Sequence, residues 1–103
     1  MAKSAYMATK QALTAYAKEQ RKGGHSFTFN PEKVYRGGED PGGWSRPSAL
    51  ACIITEGSDL PNEYNHHDPL AAWSEIEEKV EALYGKPVFF EPINSCVVAL
   101  YAV

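Results

Sequence analysis

The sequence is poor in cysteine, with only Cys52 and Cys96 in 103 residues. Both lie inside apolar runs, which reads as buried free thiols in a reducing compartment and not as a disulfide scaffold. No CxxC pair occurs, and no cysteine–histidine pair has zinc-finger spacing, so no structural metal is expected. No apolar run approaches the roughly 18 residues of a membrane-spanning helix. Near the start, Tyr6, Thr9 and Lys10 interrupt the apolar residues that follow Lys3, which argues against the core of a cleaved signal peptide. Catalytic signatures are scarce too. None of Ser26, Ser45, Ser58 and Ser95 sits in a GxSxG elbow. The stretch GGEDPGG lacks the Gly-Lys-Ser/Thr ending of a phosphate loop, and its two acids would repel phosphate. The expectation from these absences is a cytoplasmic protein with no membrane anchor and no cofactor.

What is present is ordinary globular material. With 44% hydrophobic and 22% charged residues, the chain can bury one core, and residues 1–103 are read as a single domain. The net charge of −3 hides a polarity. Residues 1–36 hold seven bases against two acids, a balance of +5, whereas residues 37–103 hold three bases against eleven acids, a balance of −8. Such a split predicts one basic and one acidic surface on a small body.

The clearest unit runs from Asp68 to Val103. Asp68 suits a helix N-cap, and Pro69 suits the first helical position, where a missing N–H costs nothing. Trp73, Ile76, Val80 and Leu83 recur at steps of three and four, which places them on one apolar stripe. Gly85 followed by Pro87 ends the helix. The runs Val88–Phe90 and Cys96–Val103, parted by Asn94 and Ser95, then predict a β-hairpin.

Earlier in the chain, residues 2–22 read as an alanine-rich helix with Tyr6, Thr9, Leu13 and Ala17 on one side, and Ser4 as its cap if the first turn frays. Gly23 and Gly24 end it, after a last turn whose Lys18, Arg21 and Lys22 suit the negative end of the dipole. HSFTFN, residues 25–30, alternates like a strand with Phe27 and Phe29 on one face. Residues 33–36 suggest a short edge strand. Gly37 to Ser48 holds four glycines and two prolines in twelve residues, so it must be a loop. ALACIITE, residues 49–56, is apolar on both parities, as a central strand covered on two sides should be. Asp59 to His67 is a second loop. The predicted fold is α+β: an antiparallel sheet of four to five strands with two helices packed on one face, in the order α-β-(β)-β-α-β-β.

Four groups of residues could carry function. Trp44 and Arg46, set on the long loop, are residue types enriched in binding hot spots, although Trp44 could equally fold back to cap the core. Glu77, Glu78 and Glu81 lie opposite the apolar stripe and read as a solvated acidic face that could dock a basic partner. His66, His67 and Asp68, with His25, could bind a ligand or supply a general base. Adjacent residues of an extended chain point apart, however, and Asp68 is already used as a cap. Lys3, Lys10, Lys18, Arg21 and Lys22 could hold nucleic acid, but they are spread around their helix and the acidic remainder opposes a polyanion.

The leading expectation is a small non-enzymatic module that occupies another protein's surface as an inhibitor or adaptor. Virus-encoded inhibitors of host defence, working in the host cytoplasm, share this general composition. A small enzyme or ligand binder, with the loops Gly37–Ser48 and Asp59–His67 as two sides of a cleft, ranks second, and nucleic-acid binding third. A homodimer is compatible with each, since an apolar final strand at a sheet edge would need cover.

Overall fold

Two side-chain caps start the two helices. In the computed structural model, which describes residues 3–103, the Ser4 hydroxyl accepts the Met7 N–H at 3.2 Å and opens α1 (Ala5–Arg21). Asp68 accepts the Ala71 N–H at 3.2 Å and opens α2 (Pro69–Tyr84), with Pro69 in the first turn. Gly85 closes α2 with φ +85°, a left-handed geometry that side chains rarely adopt, and its N–H returns to the Glu81 carbonyl. The strands are β1 (Val34–Arg36), β2 (Ala51–Ile54), β3 (Val88–Asn94) and β4 (Val97–Ala102). No helix among the described residues is long and apolar enough to cross a membrane.

All strand pairings are antiparallel, in the order β1-β2-β4-β3. The fold is therefore α+β, with an α-β-β unit occurring twice, and β2 and β4 meet at the middle of the sheet. The second unit is tightly connected, through Gly85–Pro87 and Ser95–Cys96. The first uses the long segments 22–33 and 37–50 for the same two connections.

Strand alternation gives each face of the sheet its own residues. On the inner face Val34, Ala51, Ile53, Val88, Val98 and Leu100 meet Ala8, Ala12, Leu13 and Tyr16 of α1 and Trp73, Ile76 and Val80 of α2. Ala5, Ala8, Ala12 and Ala17 of α1 are buried, so the helix approaches closely despite having one leucine. Thr9 is also buried there, its hydroxyl satisfied by the Ala5 carbonyl at 2.7 Å. The outer face carries Cys52, Val97 and Ala99, all buried, together with Phe89, Glu91 and Tyr101.

Three expectations change. Residues 25–30 do not join the sheet. Phe27 and Phe29 do pack on the core, but this segment is held by Thr28, which exchanges hydrogen bonds with Asp59, and by Arg21 Nε donating to the Phe27 carbonyl. Alternation marks an extended chain with one buried side; it does not supply a partner strand. The apolar final strand is not at an edge either, because β4 lies between β2 and β3. That removes the edge-covering argument for a dimer.

The third change concerns the acids of α2. Glu77 and Glu81 do not simply face water. Glu81 Oε2 accepts the Val88 N–H at 2.8 Å, and Glu77 Oε1 accepts the Phe90 N–H at 2.7 Å. Four residues of helix advance about 6 Å and two residues of strand about 6.6 Å, so carboxylates at i and i+4 match alternate N–H groups of an adjacent strand. The next outward position on β3 is Pro92, which has no N–H to leave unpaired.

Replacing Glu77 or Glu81 by alanine is therefore expected to cost about 1–3 kcal/mol each, because a half-buried edge N–H loses its acceptor. Urea unfolding of the single variants checks the size. The exposed Glu78→Ala should stay within about 0.5 kcal/mol of the parent.

Candidate partner-binding site

The loop between β1 and β2 is built, not loose. At its neck Gly37 lies so close to Ala49 that a Cβ would sit 1.7 Å from that carbonyl oxygen, so only glycine fits. At its centre the Asp40 carboxylate accepts the Trp44 N–H at 2.7 Å, the Ser45 N–H at 3.2 Å and the Ser45 hydroxyl proton. The Ser45 oxygen in turn accepts the Gly38 N–H at 2.9 Å. Asp40 and Ser45 are both buried. Burial alone would raise the Asp40 pKa, but the hydrogen bonds from Ser45 and Trp44 outweigh it and hold the carboxyl below its ordinary value. Under this knot lies Cys52, whose thiol is pushed up to about 11 by burial and by the Asp40 charge. At neutral pH it is a protonated, inert core residue.

Asp40 and Ser45 are the residues that sequence reasoning missed. An aspartate followed by Pro-Gly-Gly is a turn signature in which the carboxylate caps N–H groups further along the chain, and it was available as a signal.

The knot aims Trp44 and Arg46 at the outer face of the sheet. The Trp44 ring lies over Gly42, where a Cβ would come within 2.0 Å of it, and the residue stays 47% exposed. Together with Arg46 and Ser48 it forms one wall of a shallow concavity of about 450 Å³. The floor and far wall are Phe89, Glu91 and Ile93 of β3 and Tyr101 of β4. Phe89 and Tyr101 stack across the strands with ring centroids 5.6 Å apart, and Phe89 is 41% exposed. Three aromatic residues, one cation and one anion thus meet on one face.

A second groove, of about 330 Å³, opens on the inner side at the start of α2. Trp73, Phe90, Leu70, Pro61 and Val98 give it apolar walls, with Asn62, Glu63 and Asn94 bordering it. Trp73 packs on Phe90 at 4.8 Å, and its indole N–H donates to the Pro61 carbonyl at 2.9 Å. The expected two-loop cleft does not form, because each groove uses only one loop. Gly37–Ser48 turns to the outer face and Asp59–His67 to the inner one.

The other candidate residues do not converge on either groove. His66 and His67 are stacked, with centroids 5.1 Å apart and planes 11° apart, so the two adjacent rings lie side by side and do not point apart. His66 Nδ1 accepts the Asp68 N–H at 3.0 Å while Asp68 caps α2. His25 is exposed and folds against Gly23. Among the described residues no group of three or more histidine, cysteine, aspartate or glutamate side chains comes together as a metal site. Of the bases, Lys10 and Arg36 lie over the Tyr6 ring at 4.9 and 4.2 Å, and Arg21 is used on Phe27. Glu77 and Glu81 serve the edge of β3, which leaves Glu78 as the member of that trio exposed to solvent.

Comparison with known protein families, with curated proteins and with solved structures gave no significant match.

Asp40→Ala should loosen the loop at a cost of about 1–3 kcal/mol, since buried N–H and hydroxyl groups lose their acceptor. Because the folded carboxyl has a lowered pKa, its contribution is complete above the ordinary aspartate range. It is lost as pH falls through the lower folded value. The stability gap between parent and variant, read by denaturant unfolding, should be widest near neutrality and close in acid.

Proposed function

We propose that this chain is a non-catalytic protein-binding module, an inhibitor or adaptor, that occupies a partner's surface through the outer face of its sheet. The observation that carries this reading is that Trp44, half exposed, lines one concavity with Arg46 and the stacked Phe89–Tyr101 pair. Aromatic and arginine side chains dominate hot spots because they bring large apolar area and directional polar contact at modest entropic cost. The platform is also stiff. Its strands are fixed by the sheet, and its loop by the Asp40 knot, so little ordering is left to oppose binding.

The acids of α2 enter this reading in two ways. Glu78 offers a charged flank, whereas Glu77 and Glu81 act through β3 by holding the strand that carries Phe89 and Glu91. Both cysteines are free, which fits action in a reducing cytoplasm. Nucleic-acid binding ranks lower, because Lys10, Arg21 and Arg36 are engaged within the chain and the net charge is −3.

A second reading, binding of a small apolar ligand, is favoured by the inner groove. Its 330 Å³ and its Trp73–Phe90 wall fall within the range of ligand pockets.

Affinity capture with three baits separates the two readings: the parent, Trp44→Ala/Arg46→Glu on the outer face, and Leu70→Ser at the inner groove. The expected result is a protein retained by the parent and by Leu70→Ser and lost from the outer-face variant. Identical capture by all three, or nothing above the bead background, would overturn the proposal.

A further inference from the structure

Among the described residues the chain buries four polar side chains, Thr9, Asp40, Ser45 and Thr55. Thr9 is paired with the Ala5 carbonyl, and Asp40 and Ser45 with each other and with the loop backbone. Thr55 differs. Its backbone is used, the N–H on the Cys96 carbonyl at 2.7 Å, and the carbonyl by the Ser58 N–H and hydroxyl at 3.0 and 2.6 Å. Its hydroxyl makes no hydrogen bond within the described chain, although the residue is only 2% exposed. Every described side-chain N or O that is sealed from solvent is paired, so this hydroxyl has an opening. The opening that Thr55 lines is the inner groove. A hydroxyl so enclosed and unpaired leaves a bond that an entering ligand can make.

The rest of the groove says which ligand. Thr55 continues the inner-face alternation of Ala51 and Ile53, so it stands under the walls made by Trp73 and Phe90. Those rings meet at 4.8 Å with planes 50° apart, and the Trp73 indole is fixed on the Pro61 carbonyl. A third ring packed there gains edge and face contacts beyond its buried area. The volume of about 330 Å³ suits a molecule of about one ring. Glu63 is the charged residue of the lining, and no described base borders the groove, so an anion is repelled and a neutral molecule is not.

We propose that the inner groove takes a free, uncharged phenol, its ring on Trp73 and Phe90 and its hydroxyl on Thr55 Oγ1. The threonine hydroxyl can donate to the phenol or accept from it. The proposal rests on the second reading above, a small-ligand site at this groove, and it names the ligand class and the contact that selects it.

NMR titration read on the two tryptophan indole N–H resonances tests this, Trp73 reporting the groove and Trp44 the opposite face. Phenol should shift Trp73 saturably and leave Trp44 unmoved. Benzene lacks the hydroxyl, cyclohexanol the aromatic ring, and benzoate carries a negative charge; each should bind about tenfold more weakly or worse. Thr55→Val keeps the side-chain shape and should lower phenol affinity to that of benzene. Its urea midpoint should not fall, because valine loses no hydrogen bond of the fold. Benzene, cyclohexanol or benzoate bound as tightly as phenol overturns the phenol and leaves a small-ligand groove standing, as does a Thr55→Val variant that binds phenol unchanged. N-acetyltyrosinamide bound more tightly than phenol overturns the free molecule in favour of a peptide tyrosine. Trp73 unmoved by every compound overturns both the phenol and the ligand groove. Should Thr55→Val fail to fold, the ratio of phenol to benzene affinity in the parent decides the matter alone.

Discussion

Two carboxylates on one helix decide how this sheet ends. Glu77 and Glu81, one turn apart on α2, take the outward N–H groups of Phe90 and Val88. The match works because the rise of a helical turn is close to that of two strand residues, and because the three-residue turn Gly85–Pro87 lays the strand back along the helix. The consequences reach well past the edge. The pairing fixes the position of the β3–β4 hairpin against α2. It sets Trp73 against Phe90 in a tilted contact and leaves Phe89, Glu91 and Ile93 directed to the opposite side. Proline at position 92, tolerable only where no ladder bond is needed, extends the same device by one step.

With the edge closed and two helices on the inner face, the outer face is the remaining large surface of the sheet. The loop Gly37–Ser48 covers part of it, with Asp40 and Ser45 over the buried Cys52, and leaves the rest open as a concavity. Asp40 is central to this. A charged carboxylate can be buried there because three donors surround it, which turns a glycine-rich segment into a fixed wall. The wall sets Trp44 and Arg46 in one concavity with Phe89 and Tyr101. Two residues with nucleophilic or acid–base potential serve the fold, with Cys52 protonated in the core and Asp68 capping a helix.

The charge polarity of the chain finds only a small internal outlet. The one ion pair among the described residues joins Glu19 of the basic part to Lys79 of the acidic part, the reverse of what the regional balance suggests. Three of the seven cations of the first 36 residues are used instead on an aromatic ring or a backbone carbonyl, namely Lys10, Arg36 and Arg21. Regional net charge therefore says little about which surfaces meet, because each side chain answers to neighbours within a few ångströms.

Much of the scaffold was legible in the residue pattern alone. Asp68, Pro69 and Gly85 bracket α2 because caps and left-handed ends are local requirements, and the buried sequence ACII reads as a central strand because both its parities are apolar. The hairpin, the two loops and the α+β class follow from the same short-range rules. Other features had no local signature. The alternation in residues 25–30 marked a buried side but could not provide a partner strand, so that segment stays outside the sheet. The acids of α2 looked like a water-facing stripe, because nothing in a helical pattern reveals that a strand 7 to 13 residues away will align its N–H groups with them. The meeting of Trp44 and Arg46 with Phe89, Glu91 and Tyr101 joins positions more than forty residues apart. The sequence by itself determined the two helices, the closing hairpin and the turns between them, since those depend on neighbours along the chain. Only the tertiary structure decided the order of the strands in the sheet, which carboxylates are engaged and which aromatics share a surface, because those depend on groups that folding alone brings together.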